Sequence, residues 1–305
     1  MDKAISEQPS GLGRLFVAFL RKVVHTPLGI KTLSITRYLN RSNSLDWFDI
    51  NHIDLVLPRL PAAFDGYRVV HLSDFHLGTW LTRPQLSEIV QSANNQLPDL
   101  ILITGDFVTY RPEWFISDLA AELSLLQPRD VTLAVLGNHD HWTDPKMIRD
   151  TLRECGIIEL SNDVYPLTRD ESTLYIAGID DHMVGEDDLN LVLEKLHQNA
   201  TSILLAHEPD FADISGETGA FDLQLSGHSH GGQIILPWSR PLYLPQYARK
   251  YYSGLNRVNG MYVFTTNGIG TAELQFRMNC RPEIAVFTIY SGKDSMRIDN
   301  DSIRN

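Results

Sequence analysis

Short apolar runs, each closed by a polar motif, recur through the middle of this 305-residue chain and constrain its fold more than any other feature. Val69-Val70-His71-Leu72 leads into Asp74-Phe75-His76, and Leu100-Ile101-Leu102-Ile103 into Gly105-Asp106. Leu133-Ala134-Val135-Leu136 leads into Gly137-Asn138-His139-Asp140, and Ile203-Leu204-Leu205 into Ala206-His207-Glu208. A fifth motif, Gly227-His228-Ser229-His230, follows a run ending at Ser226. In α/β sheets ligands gather just beyond the carboxyl ends of strands, and every motif stands at such a place. Adjacent strand ends then bring remote parts of the sequence together.

The surrounding pattern predicts strands at 67–73, 100–104, 131–136, 173–178, 202–206, 222–226, 261–266 and 284–290. Helical periodicity predicts helices at about 83–95, 112–126, 144–154 and 187–198, with Pro, Asp or Thr near their starts. The first half reads as βαβαβα and the second as richer in strand. Two sheets with helices outside, an α/β fold of the αββα sandwich type, accommodate both halves in one domain.

The motifs are rich in carboxylate and amide oxygens and in imidazole nitrogens. Such a set suits borderline-to-hard divalent cations such as manganese, iron or zinc. In Asp74/His76 and His228/His230 the two-residue spacing aims both side chains to one side of an extended chain, so each pair can grip one centre. Together the motifs supply enough ligands for two metal ions. Gly105, Gly137, Gly227, Gly231 and Gly232 accompany them, where a Cβ would obstruct tight turns and close approach.

The order D-x-H, G-D, G-N-H-D, a lone His, then G-H-x-H resembles the calcineurin-like metallophosphoesterases, and the resemblance runs from about Val69 to Phe287. Any one motif is common, but five in this order at strand ends would rarely arise by chance. The resemblance implies the same αββα fold. It assigns one cation to Asp74, His76, Asp106 and His230 and the other to Asp106, Asn138, His207 and His228. Asp106 would bridge them at a separation of roughly 3.5–4 Å. It further implies hydrolysis of a phosphoester by a water or hydroxide shared between the two cations, of which manganese is the first choice. His139 would stabilise the transition state or protonate the leaving oxygen, and Asp140 would orient His139.

Composition bounds the setting. A hydrophobic content of 43% supports a substantial core. Cys155 and Cys280 are too few to staple the chain and read as two reduced thiols, which points to the cytosol. The formal net charge is −12, yet residues 1–41 carry seven Lys/Arg against Asp2 and Glu7, a net +5, which leaves −17 for the rest. An acidic body disfavours nucleic acid as a partner, while a basic arm suits an anionic membrane surface.

Within that arm Leu12, Leu15, Phe16, Phe19, Leu20 and Val23 fall on one helical stripe, with Arg14 and Arg21 opposite. The apolar stretch is far shorter than the roughly 20 residues of a spanning helix. No site of small residues follows it as a signal-peptidase site would. It reads as a basic amphipathic helix that lies on a membrane, or else packs on the domain's own core. Residues 1–50 are thus expected to form a membrane-associating segment, 51–290 the metallophosphoesterase domain and 291–305 a polar, disordered tail.

Other residues are open to two readings. His141 and Trp142 either line the substrate cleft or pack behind it. The stretch Pro237–Arg257, with Trp238, Arg240, Tyr243, Tyr247, Arg249 and Lys250, either receives an anionic, partly apolar substrate or is an ordinary surface excursion; Arg240, Tyr247 and Arg249 are its candidate contacts. Asp180-Asp181-His182 reads as a solvated acidic turn or as support for the site, and His71 as a core histidine.

The phosphate-bearing substrate implied by the resemblance is lipid-linked or nucleotide-like. The bacterial branch with a basic, apolar N-terminal segment and G-N-H-D-H-W includes UDP-2,3-diacylglucosamine pyrophosphatases. That branch would place the protein at the inner face of the cytoplasmic membrane. A soluble phosphodiesterase or phosphatase acting on nucleotides or phosphoproteins is the other enzymatic reading. A non-catalytic scaffold is disfavoured, because all seven ligand positions and His139 are present.

Overall fold

The computed structural model describes residues 47–197, 199–237, 240–272 and 274–292. The amphipathic stripe of residues 12–23 and the tail beyond residue 292 lie outside the described residues. Twelve strands form two six-stranded sheets among the described residues.

The first sheet is built around the apolar runs. Strands β2 (Tyr67–Leu72), β3 (Leu100–Thr104), β4 (Val131–Val135) and the short β5 (Ile158–Glu159) pair in parallel. On the other side of β2 lies β12 (Glu283–Ser291), antiparallel to it, and β1 (Asp49–Leu57) pairs parallel to β12. β1 starts at Asp49, inside the span read from sequence as N-terminal segment, and β12 runs on to Ser291, into the span read as tail. In the second sheet β7 (Ser172–Gly178), β8 (Ser202–Leu205), β9 (Leu223–Ser226) and β11 (Met261–Thr265) are parallel. Antiparallel β6 (Asp163–Arg169) and β10 (Gly254–Val258) close its two edges.

Side-chain alternation divides the core into layers. Val69, Leu100, Leu102, Leu133 and Val135 face Leu174, Ile176, Ile203, Leu205 and Leu225 between the sheets. Val70, Leu72, Ile101, Ile103 and Ala134 point the other way, onto helices α1 (Arg83–Asn95), α2 (Pro112–Leu123) and α4 (Pro145–Glu154). The outer face of the second sheet buries Ala177, Leu204 and Val263 against Val192 of α5 (Leu189–Lys195) and Ala212 of α6 (Ala212–Glu217). The result is the expected αββα sandwich.

The helices start where their caps dictate. The Thr82 N–H donates to the Gln85 side chain at 3.0 Å to open α1, whose Leu86, Ile89, Val90 and Ala93 form its buried stripe. Asp144 accepts the Met147 N–H at 2.9 Å to open α4. α2 stops at Leu123, three residues before its predicted end, because the chain tightens there into i→i+3 bonds from Leu125 and Leu126. α5 is likewise shorter than predicted, since Leu196 is already extended.

Candidate metal centre

All five motifs meet at one edge of the sandwich. Asp74, His76, Asp106 and Asn138 come from loops after β2, β3 and β4, whereas His207, His228 and His230 come from loops after β8 and β9. The site therefore straddles the two sheets. Its loops are stitched by main-chain bonds that continue the ladders: Asp74 N–H to Gly105 O and His76 N–H to Asp106 O, each 3.0 Å, and Gly227 N–H to His207 O, 3.0 Å.

Close approach explains two glycines. A Cβ on Gly137 would strike the Asp106 carboxylate and His207, and one on Gly227 would strike Ser73 and Asp74. The backbone also carries strain here. Asp74, His76, Asp106, His228 and His230 all adopt left-handed φ values between 47° and 66°. Such conformations cost roughly 1–3 kcal/mol each and persist where surrounding structure enforces them, often at functional sites.

The side chains converge. Asp106 Oδ2 lies 3.3 Å from His76 Nε2 and 3.3 Å from His207 Nε2, between the two halves of the cluster. Asp74 Oδ1 lies 3.4 Å from His230 Nε2. Three overlapping groups have ligand atoms close enough to share a cation: Asp74/His76/His230, Asp106/His207/His228 and His76/Asp106/His139. All seven expected ligands are buried.

Whether these residues fit divalent cations can be judged from their polar atoms. Asn138 Oδ1 and His207 Nε2 are buried with no hydrogen-bond partner, which is costly unless something positive meets them. His207 donates its Nδ1–H to the Thr104 carbonyl at 2.6 Å, and His228 its Nε2–H to the Gln246 carbonyl at 2.9 Å. Each ring thereby directs its other nitrogen into the site. The field favours positive charge as well: burial alone would lower His207, but Asp106 and Asp74 carry it well above the usual imidazole range. The donor set fits.

The calcineurin-like phosphoesterase family model matches residues 67–232, more than half of the chain and the whole span from β2 to the last expected ligand turn. The chain belongs to the calcineurin-like phosphoesterase family. It is 34% identical over 238 residues to the uncharacterized metallophosphoesterase YkuE of Bacillus subtilis, covering 76% of this chain and 82% of that protein. To the phosphodiesterase YaeI of Escherichia coli it is 28% identical over 246 residues, covering 80% of this chain and 88% of that one. To a transmembrane protein with metallophosphoesterase domain from Danio rerio it is 32% identical over 246 residues, 76% of this chain but only 55% of that protein. The family is dinuclear-metal-dependent, and as a calcineurin-like phosphoesterase the protein is a metal-dependent phosphohydrolase.

Within this calcineurin-like site His139 is half-buried, its ring 4.8 Å from that of His76. Burial pulls it below the ordinary imidazole range, with Asp106 working in the opposite direction. Asp140 corrects an expectation. Its carboxylate does not orient the His139 ring; it accepts the backbone N–H groups of Asp106 (2.8 Å), Phe107 (2.9 Å) and Gly137 (3.0 Å). Burial and the Asp106 charge push Asp140 up to about 7 in spite of those donors.

His141 turns to Asp180, at 2.7 Å, which Arg149 also holds at 2.7 Å. The Asp180 turn is thus an ion-paired brace. Trp142 instead stays 57% exposed, its ring 4.9 Å from that of His139. Tyr247 packs on His182 at 4.7 Å, and its carbonyl accepts the Asp210 N–H. The Asp210 carboxylate in turn collects the N–H groups of Arg249, Lys250 and Tyr251, so the stretch carrying Gln246 is strapped over His228. Arg240 and Arg249 are exposed. Sequence reasoning missed Thr109, whose hydroxyl lies 2.6 Å from His76 Nδ1, and Asp210; neither belongs to a motif, though the Glu208-Pro209-Asp210 turn signals a loop start.

Proposed function

We propose that Asp74, His76, Asp106 and His230 hold one divalent cation and Asp106, Asn138, His207 and His228 a second, and that the pair serves hydrolysis of a phosphodiester or pyrophosphate bond. The observation that carries this reading is the position of Asp106 Oδ2, 3.3 Å from a histidine nitrogen on either side. Bound there, two cations would neutralise charge on phosphoryl oxygens and make a hydroxide nucleophile available at neutral pH. Manganese is the ion to test first, with iron and zinc next.

The chain's own residues do the rest. His139, pulled below the usual imidazole range by burial, stands beside the substrate; an anionic phosphate there favours its protonation by solvent, and that proton can pass to the leaving oxygen. Trp142 beside it offers an aromatic face to the leaving group. Arg240, Tyr247 and Arg249 are the proposed contacts on the other rim, while His141, bound to Asp180, acts as a brace.

The substrate is proposed to be amphiphilic and met at a membrane, UDP-2,3-diacylglucosamine being one candidate. The basic arm of residues 1–41 supports this, as do the exposed aromatics Tyr110 and Trp114 after β3. The arm's short apolar stretch, interrupted by Arg21 and Lys22, suits a peripheral anchor at the cytoplasmic face. A diester bond is favoured by the similarity to YaeI of Escherichia coli, a phosphodiesterase.

Metal-dependent turnover of a monoester, a diester and a UDP-linked lipid, with Asp106→Ala alongside, tests the reading. Loss of about 10²–10³-fold in Asp106→Ala is expected; full activity in that variant overturns the two-cation centre. Deleting residues 1–26 is expected to release the protein from anionic liposomes, and unchanged sedimentation overturns the membrane part.

A further inference from the structure

The turn carrying His230 is held from behind by a side chain that no motif contains. Arg277 is half-buried and turns its guanidinium inward. Its Nε donates to the Gly270 carbonyl at 2.9 Å, and its Nη2 to the Gly270 and Gly268 carbonyls at 2.5 and 3.2 Å. Nη1 reaches the His230 carbonyl at 3.5 Å, and Nη2 also faces His230 Nδ1 at 3.3 Å. Among the described residues no carboxylate forms an ion pair with it.

This arrangement is the reverse of that at the other ring ligands. The remote nitrogens of His207 and His228 donate to main-chain carbonyls, the usual support for a metal-binding imidazole. A guanidinium has only donors and keeps its charge, so the remote nitrogen of His230 meets a donor and a full positive charge instead. The Asp74 carboxylate in the same half attracts a cation more strongly than the neutral Asn138 of the other half, and the Arg277 charge opposes that attraction. Repulsion between Arg277 and a cation at Asp74/His76/His230 acts through enclosed protein, where charges are weakly screened.

We infer that Arg277 is a positioning residue that fixes the His230 ring and loosens the hold of the Asp74/His76/His230 half on its cation. The inference rests on the two-cation reading above. It goes beyond it in naming a residue outside the motifs that tunes the affinity of one half.

Calorimetric titration of manganese into chelator-stripped full-length protein tests it, with thermal unfolding recorded for each variant. The wild type is expected to bind two equivalents. Arg277→Gln and Arg277→Met, which remove the charge, should tighten one binding step by about tenfold, while Arg277→Lys keeps both steps as in the wild type. If both charge-removing variants leave both steps unchanged, or weaken binding along with Arg277→Lys, Arg277 is only a structural clasp and the inference is overturned. A wild type that takes up fewer than two equivalents overturns the two-cation centre itself, a result distinct from any ranking of the variants.

Discussion

The Asp140 carboxylate accepts the backbone N–H of Asp106 at 2.8 Å, and Asp106 Oδ1 in turn accepts the backbone N–H of His139 at 2.9 Å. This reciprocal clasp locks the end of β3 to the first turn of α3 (Asn138–Thr143), the helix that begins with Asn138. Asp106 and Asn138, the proposed bridging and amide ligands, therefore take their places from one buried side chain. Asp140→Asn replaces an acceptor by an amide whose NH₂ confronts backbone donors. A loss of about 2–5 kcal/mol in stability is expected, with metal affinity falling about 10–100-fold. Thermal unfolding and metal titration read both. A variant that kept wild-type stability and metal binding, and changed only the pH profile of turnover, would restore Asp140 to the role of orienting His139.

His139 is the residue whose effect should depend on the substrate. Its ring lies against Trp142 and beside His76. For a diester with an alkyl leaving group, His139→Gln is expected to lower kcat by about 10²–10⁴-fold. With p-nitrophenolate, which leaves without help, the loss should be far smaller. Equal losses on both substrates in matched assays would remove the proton-donor role.

Cation binding should also be visible in stability. Asn138 Oδ1 and His207 Nε2 are buried without partners, and Asp74 is raised by burial, so bound cations relieve several unfavourable terms at once. Chelator-stripped protein given manganese at about a hundred times its Kd should gain about 2.7 kcal/mol, or about 5–10 °C in Tm. No shift in Tm with saturating manganese, iron or zinc would contradict the assignment of these side chains as ligands.

What the sequence disclosed and what it hid follow from burial. The central strands β2, β3, β4, β7, β8, β9 and β11 are continuous apolar runs covered on both faces, and each was read to within a residue or so. The four strands that escaped notice, β1, β5, β6 and β10, are the four sheet edges. An edge strand is half-exposed and mixed in composition, and β6 even accommodates Pro166, which has no N–H to donate. The candidate ligands were legible for a related reason. They cluster in short motifs at strand ends, whereas their supports are scattered: Thr104 and Gln246 act through main-chain carbonyls, and Arg277 lies 47 residues beyond His230. A carbonyl leaves no trace in residue identity. Asp140 shows the complementary error, a residue correctly singled out whose partner was inferred from adjacency when its carboxylate faces the main chain of another loop.

His71 provides a pH-dependent test of the core away from the cations. Its ring lies between the sheets, 2.9 Å from the Thr104 hydroxyl and 6.1 Å from the Phe264 ring, and its Nδ1 has no partner. Burial lowers its pKa from 6.5 to about 3. The sign follows from proton counting: between pH 6.5 and 3 the unfolded chain binds a proton at this residue that the folded protein refuses, so stability falls as pH falls through that window. At pH 5 the loss attributable to His71 is about 2 kcal/mol relative to pH 7.5. His71→Gln, which can keep a bond to Thr104 but does not titrate, is expected to start less stable at pH 7.5 because its contact with Phe264 is gone. Its stability should nonetheless decline less steeply on acidification, by about that same 2 kcal/mol. Urea unfolding at pH 7.5, 6 and 5 for both proteins gives the two slopes. Parallel slopes would mean that His71 takes up its proton in the folded protein as readily as in the unfolded chain, and that acid lability arises elsewhere.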